Sequence, residues 1–279
     1  MIANARMYSV TPAVGTLWRR FLERVVERAG QAVDVVDWPA PLPLAELWDR
    51  PDKAAVFMCG LPFSLASPQP ELVAAPVPAL ARSEGQPLYW SELVVRADSG
   101  FHRLSDTFGQ RIAFTGPDSQ SGYAAALHHL MQWSKGEPLY REIIAPRVTP
   151  YGALLAVTEG MAEVAPIDSW AFALMQRHAP DVTARVRIIA STEPTPIPLL
   201  ISSSRQGRLL AGPLLAAHED TALGPIMDEL LIERFVRPRA ESYSILKLRL
   251  ETARNFWRRQ PLAAVSDPAF SLVPGAANS

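Results

Sequence analysis

The 279-residue sequence contains a single cysteine, Cys59. That excludes an internal disulfide and a cysteine-cluster metal site, and leaves the redox compartment open. A basic excess is also missing: 27 Lys and Arg stand against 28 Asp and Glu, for a net charge of −1. Without surplus cations, counterion release cannot drive nucleic-acid binding, and an anionic membrane surface exerts no pull. No apolar run reaches the ~18 residues that a spanning helix needs, so no membrane insertion is expected. Met1 to Arg6 lack the basic segment and apolar core of an export signal. Work in the cytoplasm and a trimmed export segment both remain open. There is no His-Glu-x-x-His, Gly-x-Ser-x-Gly or Walker loop, and no basic recognition helix. Glycine is scarce beside proline, 15 against 26, which favours stiff loops and crossovers over flexible linkers.

What is present is an alternation of strand and helix patterns in a globular composition, 48% apolar and 20% charged. Arg6 to Val10 reads as a strand. Val14 to Ala29 reads as an amphipathic helix with Leu17, Phe21, Val25 and Val26 on one face, ended by Gly30. Short strands follow at Ala32 to Val36 and Ala54 to Met58. Ser67 to Pro78 reads as a Pro/Ala-rich connection, and Val94-Val95 as an extended crossover. The alternation then restarts: strands at Arg111 to Phe114, Glu142 to Ala145, Ala162 to Ile167 and Val186 to Ala190, with helices at Ser119 to Trp133, Pro150 to Glu159 and Asp168 to His178. A stiff Pro194 to Pro198 crossover leads into Leu199 to Ser202. Helices are expected at Gln206 to His218, Ala222 to Phe235 and Tyr243 to Trp257, and a loose arm after Pro261. The expected fold class is α/β, each lobe a helix-covered mixed sheet. Two crossovers bracketing a block imply one lobe, 94–197, inserted in another made of 1–93 and 198–279, with a ligand cleft between them.

The most informative segment is Gly116-Pro117-Asp118-Ser119-Gln120-Ser121-Gly122-Tyr123. A strand that breaks at Gly-Pro and restarts as a helix on small hydroxyl residues leaves backbone N–H groups exposed at the positive end of the helix dipole. Such a start holds anions, and the same residues serve an ordinary N-cap.

Six separated motifs, over roughly residues 5 to 205, resemble the phosphonate-type periplasmic substrate-binding proteins of ABC transporters. They are Met7-Tyr8, Cys59-Gly60-Leu61-Pro62, Tyr89 to Arg96, Ser119 to Tyr123, Gly160 to Asp168 and Ser191 to Pro196. The resemblance implies a two-lobed, type II Venus-flytrap fold joined by two crossover strands. It implies hinge closure on a small anionic or polar metabolite (a phosphonate, phosphate ester, sulfonate or carboxylate, with a neutral polar solute also open), delivery to an ABC permease, a periplasmic location, no cofactor and no chemistry. It places Ser119, Gln120 and Ser121 around an anionic headgroup and Asp168 toward a ligand amine. Tyr8, Cys59, Gly60, Tyr89, Ser91 and Tyr151 line the rest. Core packing is the other reading for Tyr8 and Cys59, and helix capping for Asp168. Three departures stand out: Pro150-Tyr151 carries neither the histidine of many relatives nor another cation, Glu163 replaces the usual aspartate, and the Gly116-Pro117-Asp118 turn differs and adds the negative charge of Asp118 beside the helix start.

Two further functions compete. An enzyme on the same scaffold would draw on Cys59, His128, His129, His178 or His218, though adjacent histidines on a helix point about 100° apart and chelate poorly. A cytoplasmic ligand sensor suits the missing export signal. Arg234, Arg237 and Arg239, and separately Arg254, Arg258 and Arg259, read as solvated basic faces.

Overall fold

The apolar runs of the sequence become the strands of two six-stranded sheets, each carried by its own compact unit. The computed structural model describes residues 1–265. Unit 1 comprises Met1–Tyr89, Ala173–Ala179 and Pro194–Ser244; unit 2 comprises Trp90–Phe172, Pro180–Glu193 and the chain from Ile245 onward.

In unit 1 the strand order is Ile232–Val236, Glu71–Pro78, Leu199–Ser202, Lys53–Met58, Ile2–Asn4, Asp34–Val35. Ile2–Asn4 lies parallel to both of its neighbours, and the remaining pairs are antiparallel. The helix Pro12–Ala29 starts where the Thr11 hydroxyl accepts from Val14 N at 3.2 Å and proline presets φ. It stops at Gly30, which takes the left-handed conformation (φ 60°) that a side chain resists. The face it buries is Val14, Trp18, Phe21, Leu22 and Val25, one position away from the expected stripe at Leu17 and Val26. Trp18 meets Phe57 edge-on at 5.2 Å, and Phe21 stacks on Phe235 at 5.5 Å. Each such ring contributes about 1.5–3 kcal/mol on leaving water.

Three sequence expectations for this unit are corrected. The first strand is Ile2–Asn4, and Arg6–Tyr8 is a 3-10 turn. The Asn4 amide donates to Val36 O at 2.7 Å while its oxygen accepts from Arg6 N at 2.8 Å, which turns the chain out of the sheet. Glu71–Pro78 is a strand despite its prolines. Its pairing with Leu199–Ser202 involves residues up to Ala74, so Pro76 and Pro78, which lack an N–H, sit where only the Ile232–Val236 strand is paired. Finally, the helix expected over Ala222 to Phe235 is a short helix, Gly224–Glu229, followed by the strand Ile232–Val236. Leu231 at φ 54° breaks the helix, and Ile232, Phe235 and Val236 favour the pleated surface.

In unit 2 the order is Val186–Ser191, Ser91–Arg96, Val164–Asp168, Arg111–Ala113, Tyr140–Ile144, Ala263–Val265. The last four run parallel, and Ser91–Arg96 opposes both of its neighbours. Leu93, Ile112, Phe114, Tyr123, Leu127 and Trp257 share its core. The Glu163 side chain, longer than aspartate, reaches the start of the adjacent strand. Its carboxylate accepts from Arg111 N at 2.8 Å and from Arg111 Nη2 at 2.7 Å. Burial favours the neutral acid, but the Arg111 hydrogen bonds and charge outweigh it and hold the Glu163 carboxyl below its usual range. The pair pins the amino ends of two parallel strands in register.

The C-terminal segment differs from the expected assignment to the first lobe. The helix Ser244–Arg259 places Trp257 in the core of unit 2, and Ala263–Val265 pairs with Tyr140–Ile144 where a loose arm was expected. The part of that arm beyond residue 265 lies outside the described residues.

His128 and His129, on the helix Ala125–Leu130, titrate below the ordinary imidazole value of 6.5. Burial is the main cause for both; Arg249 adds to it at His128, and Glu193 partly offsets it at His129. The folded state therefore binds fewer protons than the unfolded chain just below pH 6.5. The stability present above that pH is lost as the pH falls through the lowered values. Melting temperature is expected to drop between pH 7.5 and 5.5, and His128→Gln with His129→Gln to flatten the profile; an equally steep decline in that variant contradicts the assignment.

Candidate functional site

Three parallel strands of unit 2, Arg111–Ala113, Tyr140–Ile144 and Val164–Asp168, end on the same edge of their sheet. After each carboxyl end a turn opens a helix. Ser119 caps the turn Gln120–Ala124, which continues as the helix Ala125–Leu130; its hydroxyl accepts from Gly122 N at 2.9 Å. Thr149 caps Pro150–Thr158 in the same way, accepting from Gly152 N at 2.9 Å. Asp168 opens Ser169–His178, its Oδ1 accepting from Trp170 N and Ala171 N, both at 2.9 Å. The carboxyl edge of such a sheet is where α/β folds gather ligands. Three helix starts there sum their partial positive charges toward an anion.

The turns are tied together. Arg147 N donates to Phe114 O at 2.9 Å, and Val148 N to Thr115 O at 2.8 Å. Val148 is held at φ 66°, a conformation that costs a β-branched residue of order 1–3 kcal/mol and clusters at functional edges. Two glycines permit the close approach. A Cβ on Gly122 would lie 2.1 Å from Thr115 Oγ1, and one on Gly152 would lie 2.2 Å from Arg147 O.

Ser91, Ser121 and Asp168 form one hydrogen-bonded series. Ser91 Oγ donates to Ser121 O at 2.7 Å, and Ser121 Oγ donates to Asp168 Oδ2 at 3.4 Å. All three are buried, as is the adjacent Gln120. The series is held from behind: Trp90 N donates to Ser169 Oγ at 3.1 Å, and Ser91 N to Thr192 Oγ1 at 3.0 Å. Ser119 is half-buried beside it, and Tyr151 is half-buried in the first turn of its own helix. The structure thus brings Ser91, Ser119, Gln120, Ser121 and Asp168 to one edge, with Tyr151 at a neighbouring helix start. Asp168 and Ser119 also act as caps.

The remaining candidates belong to unit 1. Tyr8 is buried, with its ring edge-on to Phe57 at 5.3 Å. Cys59 is buried at the cap of the helix Gly60–Leu65, whose first residue is Gly60. Tyr89 is buried at the end of a two-residue ladder, Leu88–Tyr89 with Thr195–Pro196.

Sequence reasoning found no cation at the Pro150-Tyr151 helix start and missed Arg147, three residues upstream. Its guanidinium Nε donates to Gly152 O at 3.4 Å, so a positive charge does sit in the turn that opens this helix. The legible signal was a basic residue two positions before the Thr149-Pro150 cap. Among the described residues, no group of three or more His, Cys, Asp or Glu could hold a metal ion, and no helix is long and apolar enough to cross a membrane.

Residues 55–243 match the family described as ABC transporter, phosphonate, periplasmic substrate-binding protein. No curated protein matches the chain by sequence. Among solved structures, the chain is similar to a binding-protein component of an ABC phosphonate transporter from Pseudomonas aeruginosa. The TM-score is 0.76 at 17% identity, over 93% of this chain and 89% of that one. PhnD1 from Prochlorococcus marinus, solved with methylphosphonate, gives 0.73 at 13% identity, over 90% and 96%. An ATP-bound protein from Xanthomonas citri gives 0.60 at 17%, over 92% and 98%. At these identities the likeness establishes the fold: the α/β, two-lobed architecture of type II periplasmic binding proteins.

Proposed function

The chain belongs to the periplasmic substrate-binding proteins of phosphonate ABC transporters, and from that premise we propose that it captures a small phosphonate, phosphate ester, sulfonate or carboxylate at the carboxyl edge of unit 2. Capture by hinge closure, export to the periplasm and delivery to a permease belong to the same proposal. The observation that carries it is the convergence of three capped helix starts on that edge, around Ser119, Gln120, Ser121 and Asp168.

Magnitudes favour an anion over a neutral solute. Micromolar capture corresponds to about −8 kcal/mol. Helix starts supply ~0.3–1 kcal/mol each when exposed and up to ~2 when partly buried. A hydrogen bond to a charged group such as Arg147 adds about 1.5–3 kcal/mol. Serine hydroxyls complete the set without bringing a competing charge. Asp168 Oδ1 accepts from Trp170 N and Ala171 N, and Oδ2 accepts from Ser121 Oγ, which fixes this carboxylate beside the serines of the edge.

The family binds its solutes without transforming them, and we extend that to this chain. The alternatives, turnover or signalling on the same scaffold, would need a product or a partner that nothing in the site calls for.

Calorimetric titration of methylphosphonate, with sulfonate and carboxylate analogues beside it, tests the reading. Ser119→Ala combined with Ser121→Ala is expected to weaken the tightest ligand at least tenfold, with the fold intact by circular dichroism. An unchanged affinity in that variant removes the edge from the mechanism, and the absence of binding across the panel removes the ligand class.

A further inference from the structure

After Val236 the chain continues through Arg237-Pro238-Arg239, with Arg239 extended at φ −108° and ψ 125°. In an extended segment residues two apart face the same side, and proline at the middle position stiffens it. Arg237 and Arg239 both line a cavity of about 420 Å³ in unit 1, together with Arg234, Pro87, Pro196 and Tyr243. That volume is within the usual range for small-molecule sites, ~300–1,000 Å³.

The three arginines differ in their partners. Arg234 is engaged, donating to Gly85 O at 2.7 Å and to Glu233 Oε2 at 3.2 Å. Arg237 and Arg239 have no ion pair and no side-chain hydrogen bond among the described residues. The chain as a whole carries a net charge of −1, so this concentration of positive charge is local. Pro87, Leu88, Pro196 and Val236 give the remaining walls an apolar part, beside the polar Gln86 and Ser242. Pro87 precedes the two-residue ladder and Pro196 belongs to it, while Tyr243 is buried, its hydroxyl donating to Ile197 O at 2.8 Å and its ring edge-on to Phe63 at 5.2 Å. Planar guanidinium forks match carboxylate and phosphate oxygens in pairs, and the Pro87, Leu88, Pro196 and Val236 walls accept an apolar body.

We propose that this cavity is a second ligand site, specific for an anion that carries an apolar group, such as an aryl or alkyl phosphate or carboxylate. All of its lining residues belong to unit 1, whereas the serines and Asp168 of the candidate solute site belong to unit 2. The two sites are separable by mutation.

Phenyl phosphate is titrated calorimetrically into the full chain, with inorganic phosphate as the comparison. With the unit 2 edge disabled by Ser119→Ala and Ser121→Ala, adding Arg237→Gln and Arg239→Gln is expected to weaken the remaining phenyl phosphate binding at least tenfold at an unchanged melting temperature. Inorganic phosphate is expected to bind at least fivefold more weakly than phenyl phosphate. Ser119→Ala with Ser121→Ala alone, which weakens capture at the unit 2 edge, is expected to leave one phenyl phosphate binding step in place. Equal binding by the arginine variant, equal affinity for the two probes, or loss of binding in the serine variant each overturns the proposal.

Discussion

Gly122→Ala is expected to lower solute affinity at least a hundredfold. The added methyl would stand 2.1 Å from Thr115 Oγ1, 2.5 Å from Thr115 Cβ and 2.9 Å from Ser119 Oγ. Rotating Thr115 relieves the first contact but leaves the second, because Cβ moves only with the backbone. That backbone is anchored on both sides: Thr115 N donates to Gly122 O at 3.1 Å, and Thr115 O accepts from Val148 N at 2.8 Å. The helix start must therefore move away from the turn, carrying Ser119, Gln120 and Ser121 off their positions. Overpacking of this kind costs about 1–3 kcal/mol of stability, a modest drop in melting temperature beside the loss of binding. Adding Thr115→Gly removes both contacting atoms and is expected to restore much of the affinity. Calorimetry that finds wild-type affinity in the single variant would sink the requirement for close approach.

Trp257→Ala is expected to destabilise the protein by about 3–5 kcal/mol, the usual cost of emptying a buried aromatic site. Trp257 is buried in the core of unit 2, and its indole N–H donates to Leu127 O at 2.9 Å. The deletion leaves a void in that core and takes the indole donor away from Leu127 O. At ~2–4 °C per kcal/mol for a chain of this size, melting falls by roughly 6–20 °C. Trp257→Phe keeps most of the packing and loses only the donor, so its expected cost is nearer ~1–2 kcal/mol. A calorimetric scan in which the alanine variant melts with the wild type would show that the C-terminal helix is not part of that core.

The parts of the fold that were legible in the sequence are those where local chemistry decides. Thr11, Ser119 and Thr149 are small hydroxyl residues before helical runs, and each caps as its type dictates. The parallel strands of unit 2 are short apolar runs closed by turn residues, and their order along the chain implies a helix-covered sheet. The misreadings arise where tertiary pairing overrides local preference. Proline argued against a strand at Glu71–Pro78, yet Pro76 and Pro78 lie beyond the part paired with Leu199–Ser202. Leu231 occupies a left-handed conformation that leucine does not advertise, so the helix ending before it was read as continuing. At the site, Arg147 escaped notice because its relevance depends on Phe114 O and Gly152 O, which lie far apart from each other in the sequence. Glu163 stands out in the sequence as a replacement for aspartate, but its meaning depends on its reach to Arg111, which only the pairing of the two strands brings about.

The position of Ala263–Val265 beside Tyr140–Ile144 bears on how the protein is made. A nascent chain leaving the ribosome displays the first five strands of that sheet long before the sixth has been translated. Until then the Tyr140–Ile144 border remains an open template, the kind of edge on which polypeptides aggregate. Maturation of the second unit thereby waits until residues 263–265 have been translated, and a chain stalled short of residue 263 would emerge with that border bare.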